Sequence, residues 1–170
     1  MNYTYLKPTL LGVCDQLTRI IEKGEAYVLE GKATEAELIE ARLAPDMFPF
    51  VRQIQIATDN AKGGVARLAG MVPPVMEDTE TTFAALKARV AATRAFVESV
   101  PESALENVEG KTVRLHWMPE GMNFAAQDYA QLYVLQNTFF HVVTAYDILR
   151  MKGVQLGKQD FIGKIPMHQA

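Results

Sequence analysis

Four polar side chains on two helix-forming stretches have the types and spacing to act together chemically. The segment NTFFHVVTAYDILRMKGV, residues 137–154, places His141 in an apolar run and Tyr146 five residues later. An imidazole titrates near neutrality, so His141 is the candidate general base, with Tyr146 as a hydrogen-bond donor. Gln53 and Asn60 flank the apolar seam of an earlier helical stretch. Together with His141 and Tyr146 they form the candidate ligand-binding set.

The composition of the chain indicates which class of protein contains these four residues. The 170-residue chain is 49% hydrophobic and 22% charged, which is typical of a soluble globular protein, and its length predicts one domain over residues 1–170. Its 17 Lys+Arg and 20 Asp+Glu give a net charge of −3, which offers no electrostatic footprint for nucleic acid. Polar residues interrupt the longest apolar run, 132–149, so we expect no membrane span.

The single cysteine, Cys14, cannot form an internal disulfide, and MNYTYLKPTL lacks the basic start and apolar core of a secretory signal. We therefore expect a cytoplasmic protein. Because Cys14 lies inside a helical stretch rather than at a helix N-terminus, its thiol is expected to be buried and inert.

Apolar residues that recur at steps of four and three predict four long helices, near residues 4–30, 46–70, 80–99 and 125–151. Local signals set their ends and predict one short helix. The expected caps are Thr34, with Glu37 completing a capping box, Asp46, Thr79 or Thr81, and Gly153.

A small β-hairpin is predicted around residues 111–124, just before the last helix. There Val113, Leu115 and Trp117 alternate with polar residues, and a turn-forming PEG follows. The tail after residue 153 reads as irregular.

The last helix differs from the other three because it is apolar on nearly all sides. Its seam is joined by Tyr133, Phe140 and Val143, which project elsewhere on the helix. The expected seam consists of Leu132, Leu135, Phe139, Val142, Tyr146 and Leu149. A helix of this kind must be buried on more than one side, so we expect a homodimer through the last helix, with Phe140 or Tyr133 at the interface.

Three stretches resemble an uncharacterised bacterial family of unknown function within the DinB-like four-helix-bundle superfamily: APDMFPFVRQIQIATDNAKGGVARLAG, DTETTFAALKARV and FFHVVTAYDILRMKGVQLGKQDFIG. The resemblance implies an all-α, commonly dimeric four-helix bundle with a long crossover connection. Better-studied relatives in the superfamily include metal-dependent thiol transferases and hydrolases. Their metal is held by one histidine on the second helix and two, four residues apart, on the fourth.

That metal site does not carry over residue by residue. His141 lies on the fourth helix, but Ala145 stands four residues on, and residues 46–70 contain no histidine. The remaining histidines, His116 and His168, match neither position. A catalytic zinc normally needs three protein ligands. We therefore expect no bound metal and no cofactor.

Other motifs favour structural interpretations. The sequence GVQLGKQ lacks the spacing and the Ser or Thr of a phosphate loop, so it reads as a helix cap and loop. Trp117 could stack on a ligand, but packing is the more common role of such a residue. Arg52, Asp59 and Lys62 are expected on a solvated face.

Three functional hypotheses follow. The first is a bundle protein that acts by dimerisation or by binding a small ligand between helices. The second is an enzyme that uses Gln53, Asn60, His141 and Tyr146. The third is a degenerate metal site completed by Asp128 or Asp147, or by a partner chain. A pocket that gathers His141 with other polar groups would favour the second hypothesis, and a dry contact would favour the first.

Overall fold

The computed structural model describes residues 3–106, 108–163 and 165, and the helices dominate this part of the chain. His168 lies outside the described residues. The long helices are α1 (Leu6–Leu29), α3 (Phe50–Leu68), α4 (Phe83–Ser99) and a composite last helix. The last helix comprises α5 (Ala126–Asp128), a π-helical segment (Tyr129–Leu135) and α6 (Gln136–Met151). The shorter elements are α2 (Glu35–Ile39), a 3₁₀ turn (Glu102–Leu105), β1 (Thr112–Val113), β2 (Phe124–Ala125) and α7 (Lys158–Ile162).

The long helices form a four-helix bundle. α1 packs against α4 and α6, and α3 packs mainly against the same two helices, so α1 and α3 occupy opposite corners. Long connections at 69–82 and 100–125 join the later helices. None of the helices within the described residues has the length and hydropathy that crossing a membrane requires.

The apolar seams predicted for α1, α3 and α4 form the core. Leu10 and Ile20 of α1 and Ile54 of α3 are fully buried, as are Leu86 and Val97 of α4. Burial of each such side chain stabilises the fold by about 1.5–3 kcal/mol, so the periodic stripes dominate the packing energy. Cys14 is also buried, as predicted.

The predicted helix ends are right in two places. At α2, the Thr34 hydroxyl accepts from the Glu37 backbone N–H and the Glu37 carboxylate accepts from Thr34 N, which completes the predicted capping box. After α6, Gly153 has φ +94°, and the N–H of Val154 donates to the carbonyl of Leu149 at 3.0 Å. Only glycine adopts this left-handed cap without a penalty.

Two predicted caps are wrong. Helix α3 begins at Phe50 rather than near Asp46, with Pro49 at the N-cap and no side-chain cap, because a proline disfavours helical backbone at the residue before it, here Phe48. At α4 the cap is Thr82, not Thr79 or Thr81, and its hydroxyl accepts from the N–H of Ala85 at 3.1 Å.

The predicted hairpin exists, but each of its paired strands contains only two residues. Thr112 pairs with Ala125 and Val113 with Phe124, antiparallel, and two turns occupy most of the segment between them. Trp117 therefore lies in a turn, 55% exposed, rather than on a strand. The tail, expected to be irregular, instead contains α7, which is tied to α1 because Arg19 Nε donates to the carbonyl of Asp160 at 2.8 Å.

The predicted seam of the last helix is right only in part: Val142 and Leu149 are fully buried, but most of the buried face is displaced by about one residue. Leu132 is 65% exposed, and Phe139 and Tyr146 are only partly buried. A π-helix bonds each N–H to the fifth preceding carbonyl, so its wider turns shift the face that a step of four and three selects. Besides Val142 and Leu149, the last helix buries a neighbouring strip that consists of Ala130, Val134, Thr138, His141, Ala145 and Ile148.

Candidate functional site

His141 lies in this buried strip and faces α3. It is 7% exposed, and its Nδ1 lies 2.6 Å from the side-chain oxygen of Gln53, which is 2% exposed. The amide nitrogen of Gln53 donates to the carbonyl of Phe48 at 2.9 Å. Of the four candidate residues, Gln53 is therefore the one that pairs with His141, and the tautomer that carries the proton on Nδ1 satisfies both side chains.

The environment of His141 disfavours its charged form. Burial, and to a lesser extent the positive charge of Arg52, lowers the pKa of the imidazole from 6.5 to about 4. At neutral pH the ring is therefore uncharged. Phe140 packs edge-on against it, with ring centroids 5.3 Å apart.

Asn60 and Tyr146 do not join this pair. Within residues 3–106, 108–163 and 165, no hydrogen bond links either side chain to His141 or Gln53. Asn60 lies two helical turns beyond Gln53 and lines a cleft of its own, while Tyr146 packs partly buried against the core. The four candidate residues thus separate into one bonded pair and two distant side chains.

The residues present do not fit the three-histidine metal site of the better-studied relatives. Among the described residues, no group of three His, Cys, Asp or Glu side chains is placed to hold a metal ion. Nδ1 of His141 is already engaged by Gln53. Asp128 is 13 residues from His141, roughly 20 Å along the helix, and Asp147 projects from a different side.

A buried charged cluster lies on the opposite side of α3, and sequence reasoning missed it. Arg89 of α4 is 4% exposed, and its Nε donates to the hydroxyl of Thr58 at 2.8 Å. Its terminal nitrogens lie 2.8 Å from Asp59, 3.0 Å from Asp78 and 3.0 Å from Glu80. Glu80 and Asp78 belong to connection 69–82, so this Arg89 cluster pins that connection to α3 and α4.

The expectation of a solvated face at Arg52, Asp59 and Lys62 is wrong for Lys62, which is 5% exposed and ion-paired with Asp59. Arg52, half-buried, forms an ion pair with Asp78. Helical periodicity could not reveal this, because the burial comes from connection 69–82 rather than from another helix. The acidic run EDTE within that connection was the available signal.

A cleft of about 350 Å³ opens beside the C-terminal half of α3. We call it the Trp117 cleft. One wall is α3, the second is connection 69–82, and the third comes from the hairpin turn and the π-helical segment. Its polar and aromatic lining residues are Asp59, Asn60, Lys62, Arg67, His116, Trp117 and Tyr133.

Comparison with known proteins agrees with this architecture. The family model described as Domain of unknown function (DUF1993) matches residues 3–162. The chain belongs to this family. No curated protein matches the sequence of this chain.

Among solved structures, a DinB family member protein from Shewanella denitrificans, determined by crystallography at 1.83 Å resolution, is similar to this DUF1993 chain. The two are 33% identical, with 98% of this chain and 99% of that chain covered and a TM-score of 0.88. The DUF1993 protein is therefore a DinB-like helical bundle, as the resemblance of its sequence implied.

Proposed function

We propose that this DUF1993 protein is a homodimer that binds a small molecule and works in the cytoplasm, without a metal centre of the three-histidine type. The observation that carries the proposal is an apolar stripe along the last helix that nothing in the described chain covers. Leu132, Phe140 and Val143 are 65%, 58% and 42% exposed. They recur at helical spacing on one side of the helix, interrupted only by Gln136.

Phe48, two residues before α3, adds exposed apolar surface near the stripe. Phe48 is 55% exposed, and its carbonyl accepts the hydrogen bond from Gln53, which places it beside the His141 pair that Phe140 covers. A stable dimer buries about 800 Å² per partner, so an interface must extend beyond three side chains of one helix. A two-fold axis near Phe140 would bring the stripe and Phe48 of both copies together.

Of the two aromatic residues expected at the interface, Phe140 fits better than Tyr133. Tyr133 is only partly exposed and is held in an aromatic group, with its ring centroid 5.7 Å from Tyr129 and 6.0 Å from Trp117. A charge at Tyr133 would therefore disturb the packing of the chain itself, whereas a charge at Phe140 would act on the partner surface.

The alternative hypothesis of an enzyme with His141 as general base has less support. A general base must reach a proton on the substrate. His141 is nearly sealed from solvent and hydrogen-bonded to Gln53, and its lowered pKa makes it a weaker base than a free imidazole. We therefore assign the pair a packing role.

Light scattering coupled to size-exclusion chromatography tests the association. We expect the wild-type chain to run as a dimer at micromolar concentration. Phe140→Asp removes at least about 3 kcal/mol of apolar burial across two copies, so the dimer should weaken by about a hundredfold or more.

Leu29→Asp is the matched control, because Leu29 is 83% exposed at the end of α1 and lies off the stripe. It should leave the dimer intact. A wild-type monomer at about 100 μM, or a Phe140→Asp dimer as tight as the wild type, would refute the proposal.

A further inference from the structure

Arg67 supplies the Trp117 cleft with a positive charge that no acidic group of the protein neutralises. Its Nη1 donates to the hydroxyl of Tyr129 at 3.1 Å, which fixes the guanidinium at the cleft wall. Within the described part of the chain, Arg67 forms no ion pair with a carboxylate. Gly63 makes this position accessible, because a Cβ there would overlap Nη1 of Arg67. The arrangement leaves most donors of the guanidinium fork available to a ligand.

The other charged groups of the cleft leave this positive charge in place. Lys62 is paired with Asp59, and the same carboxylate also accepts from Arg89. Asp59 thus already lies between two cations. An anion that enters the cleft would meet Arg67 without a competing free carboxylate.

The opposite wall offers aromatic surface. Trp117 is 55% exposed although its ring is held on two sides. Its centroid lies 6.4 Å from Phe124, edge-on, and 6.0 Å from Tyr133, tilted by 36°. A rigid, exposed indole loses little conformational entropy when a flat ring stacks on it.

Asn60 adds an unsatisfied donor at the same place. Its side-chain Nδ2 is shielded from solvent and has no hydrogen-bond partner among the described residues. A buried N–H without a partner costs about 1–3 kcal/mol, so a small rotation of the Asn60 side chain toward a ligand oxygen in the cleft would recover part of that free energy.

We propose that the Trp117 cleft binds a small aromatic compound that carries one anionic group, a carboxylate or a phosphate. The anionic group pairs with Arg67 and the ring stacks on Trp117. The 350 Å³ volume lies at the lower end of the range for small-molecule sites, which suits one ring and one acid group. This inference rests on the small-molecule half of the proposed function and does not depend on the dimer.

Trp117 is the only tryptophan of the chain, so its fluorescence reports on this cleft alone. The wild-type protein is titrated with benzoate and with phenyl phosphate, and with benzyl alcohol and acetate as neutral and ring-free counterparts. We expect saturable quenching by at least one of the two aromatic anions. Benzyl alcohol and acetate should bind about tenfold more weakly or worse, since a hydrogen bond to a charged group contributes about 1.5–3 kcal/mol.

Arg67→Gln should weaken the aromatic anion by about tenfold or more. Arg114→Gln removes the same charge from an exposed position in the hairpin that does not line the cleft, and should change affinity less than about twofold. Arg67→Lys keeps the charge but loses the forked guanidinium, so its affinity for the aromatic anion should lie between those of Arg67→Gln and Arg114→Gln. Should Arg67→Gln fail to fold, Arg67→Lys tests the guanidinium fork and Asn60→Ala tests the second donor, each against the Arg114→Gln control.

Three results overturn the inference. They are equal affinity for benzyl alcohol and benzoate, equal loss in the Arg67 and Arg114 variants, and no fluorescence response to either anion up to about 10 mM. Thermal stabilisation by a metabolite that leaves Trp117 fluorescence unchanged would keep the proposed small-molecule function while placing the site elsewhere.

Discussion

Helix α3 contacts its two neighbours by opposite physical means. Toward α4 it is held by the Arg89 cluster, in which one buried guanidinium meets three carboxylates and a hydroxyl. Toward the last helix it is held by uncharged contacts, namely the pairing of Gln53 with His141 of α6 and the close approach of Gly64 to Val134 of the π-helical segment.

The difference separates the polar residues that stabilise the fold from the surface that is open to a ligand. On the α4 side every donor direction of Arg89 is used, so the cluster is closed to ligands. On the side of the last helix the contact is neutral and buried around His141, and it opens farther along, at the Trp117 cleft. We therefore propose a packing role for the His141–Gln53 pair, and the proposed ligand site, the Trp117 cleft, lies farther along the same pair of helices.

The largest effect is expected on the charged side. Arg89→Met leaves Asp59, Asp78 and Glu80 close together without their shared cation, so the free energy of unfolding should fall by about 3–5 kcal/mol. Arg94→Met is the matched control, since Arg94 pairs with Asp15 at 2.8 Å on the exposed surface and should cost at most about 1 kcal/mol. Urea unfolding measures both. Similar losses in the two variants would mean that the cluster contributes no more than a surface ion pair.

The α4 side also shows where sequence reasoning stops. The stripe from Phe83 to Val97 was readable because helical spacing and apolar type determine it. The burial of Arg89 was not, because it depends on where the 69–82 connection folds back, and no periodic signal specifies that path. From sequence alone a charged residue is predicted to be exposed to solvent, because the segment that covers it is not known.

On the neutral side, His141→Ala should lower the free energy of unfolding by about 1–3 kcal/mol, because it leaves the buried oxygen of Gln53 without a partner. His116→Ala, at an exposed position, should change it by less than about 0.5 kcal/mol.

We also predict that the protein purifies without stoichiometric zinc or nickel. Elemental analysis that finds about one metal per chain, lost in His141→Ala, would make this side of α3 the functional one.

The pH dependence of stability separates the two sides further. The folded-state pKa of His141 is lowered to about 4, below the 6.5 of the unfolded chain, so its contribution is complete above pH 6.5 and is lost as the pH falls toward 4. Between pH 7 and 5 the wild type should therefore lose about 2 kcal/mol more than His141→Gln. Chemical unfolding at both pH values measures the difference. Parallel losses in the two proteins would show that protonation of His141 is not what destabilises the fold.

The location of His141 was predictable in part. Its neighbours Val134, Thr138, Ala145 and Ile148 are spaced to share one mainly apolar helical strip, which is why a buried imidazole could be expected. That this strip is the core seam could not be expected, because a helix that is apolar all round contains several equivalent stripes. The π-helical segment determines which of these stripes faces the core, and the residue types do not specify its hydrogen bonding.

The smallest effect concerns the close approach of α3 to the last helix. A Cβ at Gly64 would lie 2.5 Å from Cγ1 of Val134, and a β-branched side chain on a helix has little freedom to move away. Gly64→Ala should therefore cost about 1–3 kcal/mol in overpacking, offset by about 1 kcal/mol of helix propensity, for a net loss of about 1 kcal/mol. Gly12→Ala is the control in α1, where a Cβ meets no atom within 4 Å, and it should raise stability by about 0.5–1 kcal/mol.

The opposite signs of these two identical substitutions are the test, and thermal or urea unfolding resolves them. Adding Val134→Ala should relieve the Gly64→Ala defect, so that the double variant is about 1 kcal/mol more stable than the sum of the two single changes predicts. Additive losses would mean that the helices separate freely at this point. The α6 side of α3 would then be held by the Gln53–His141 bond rather than by close packing at the glycine.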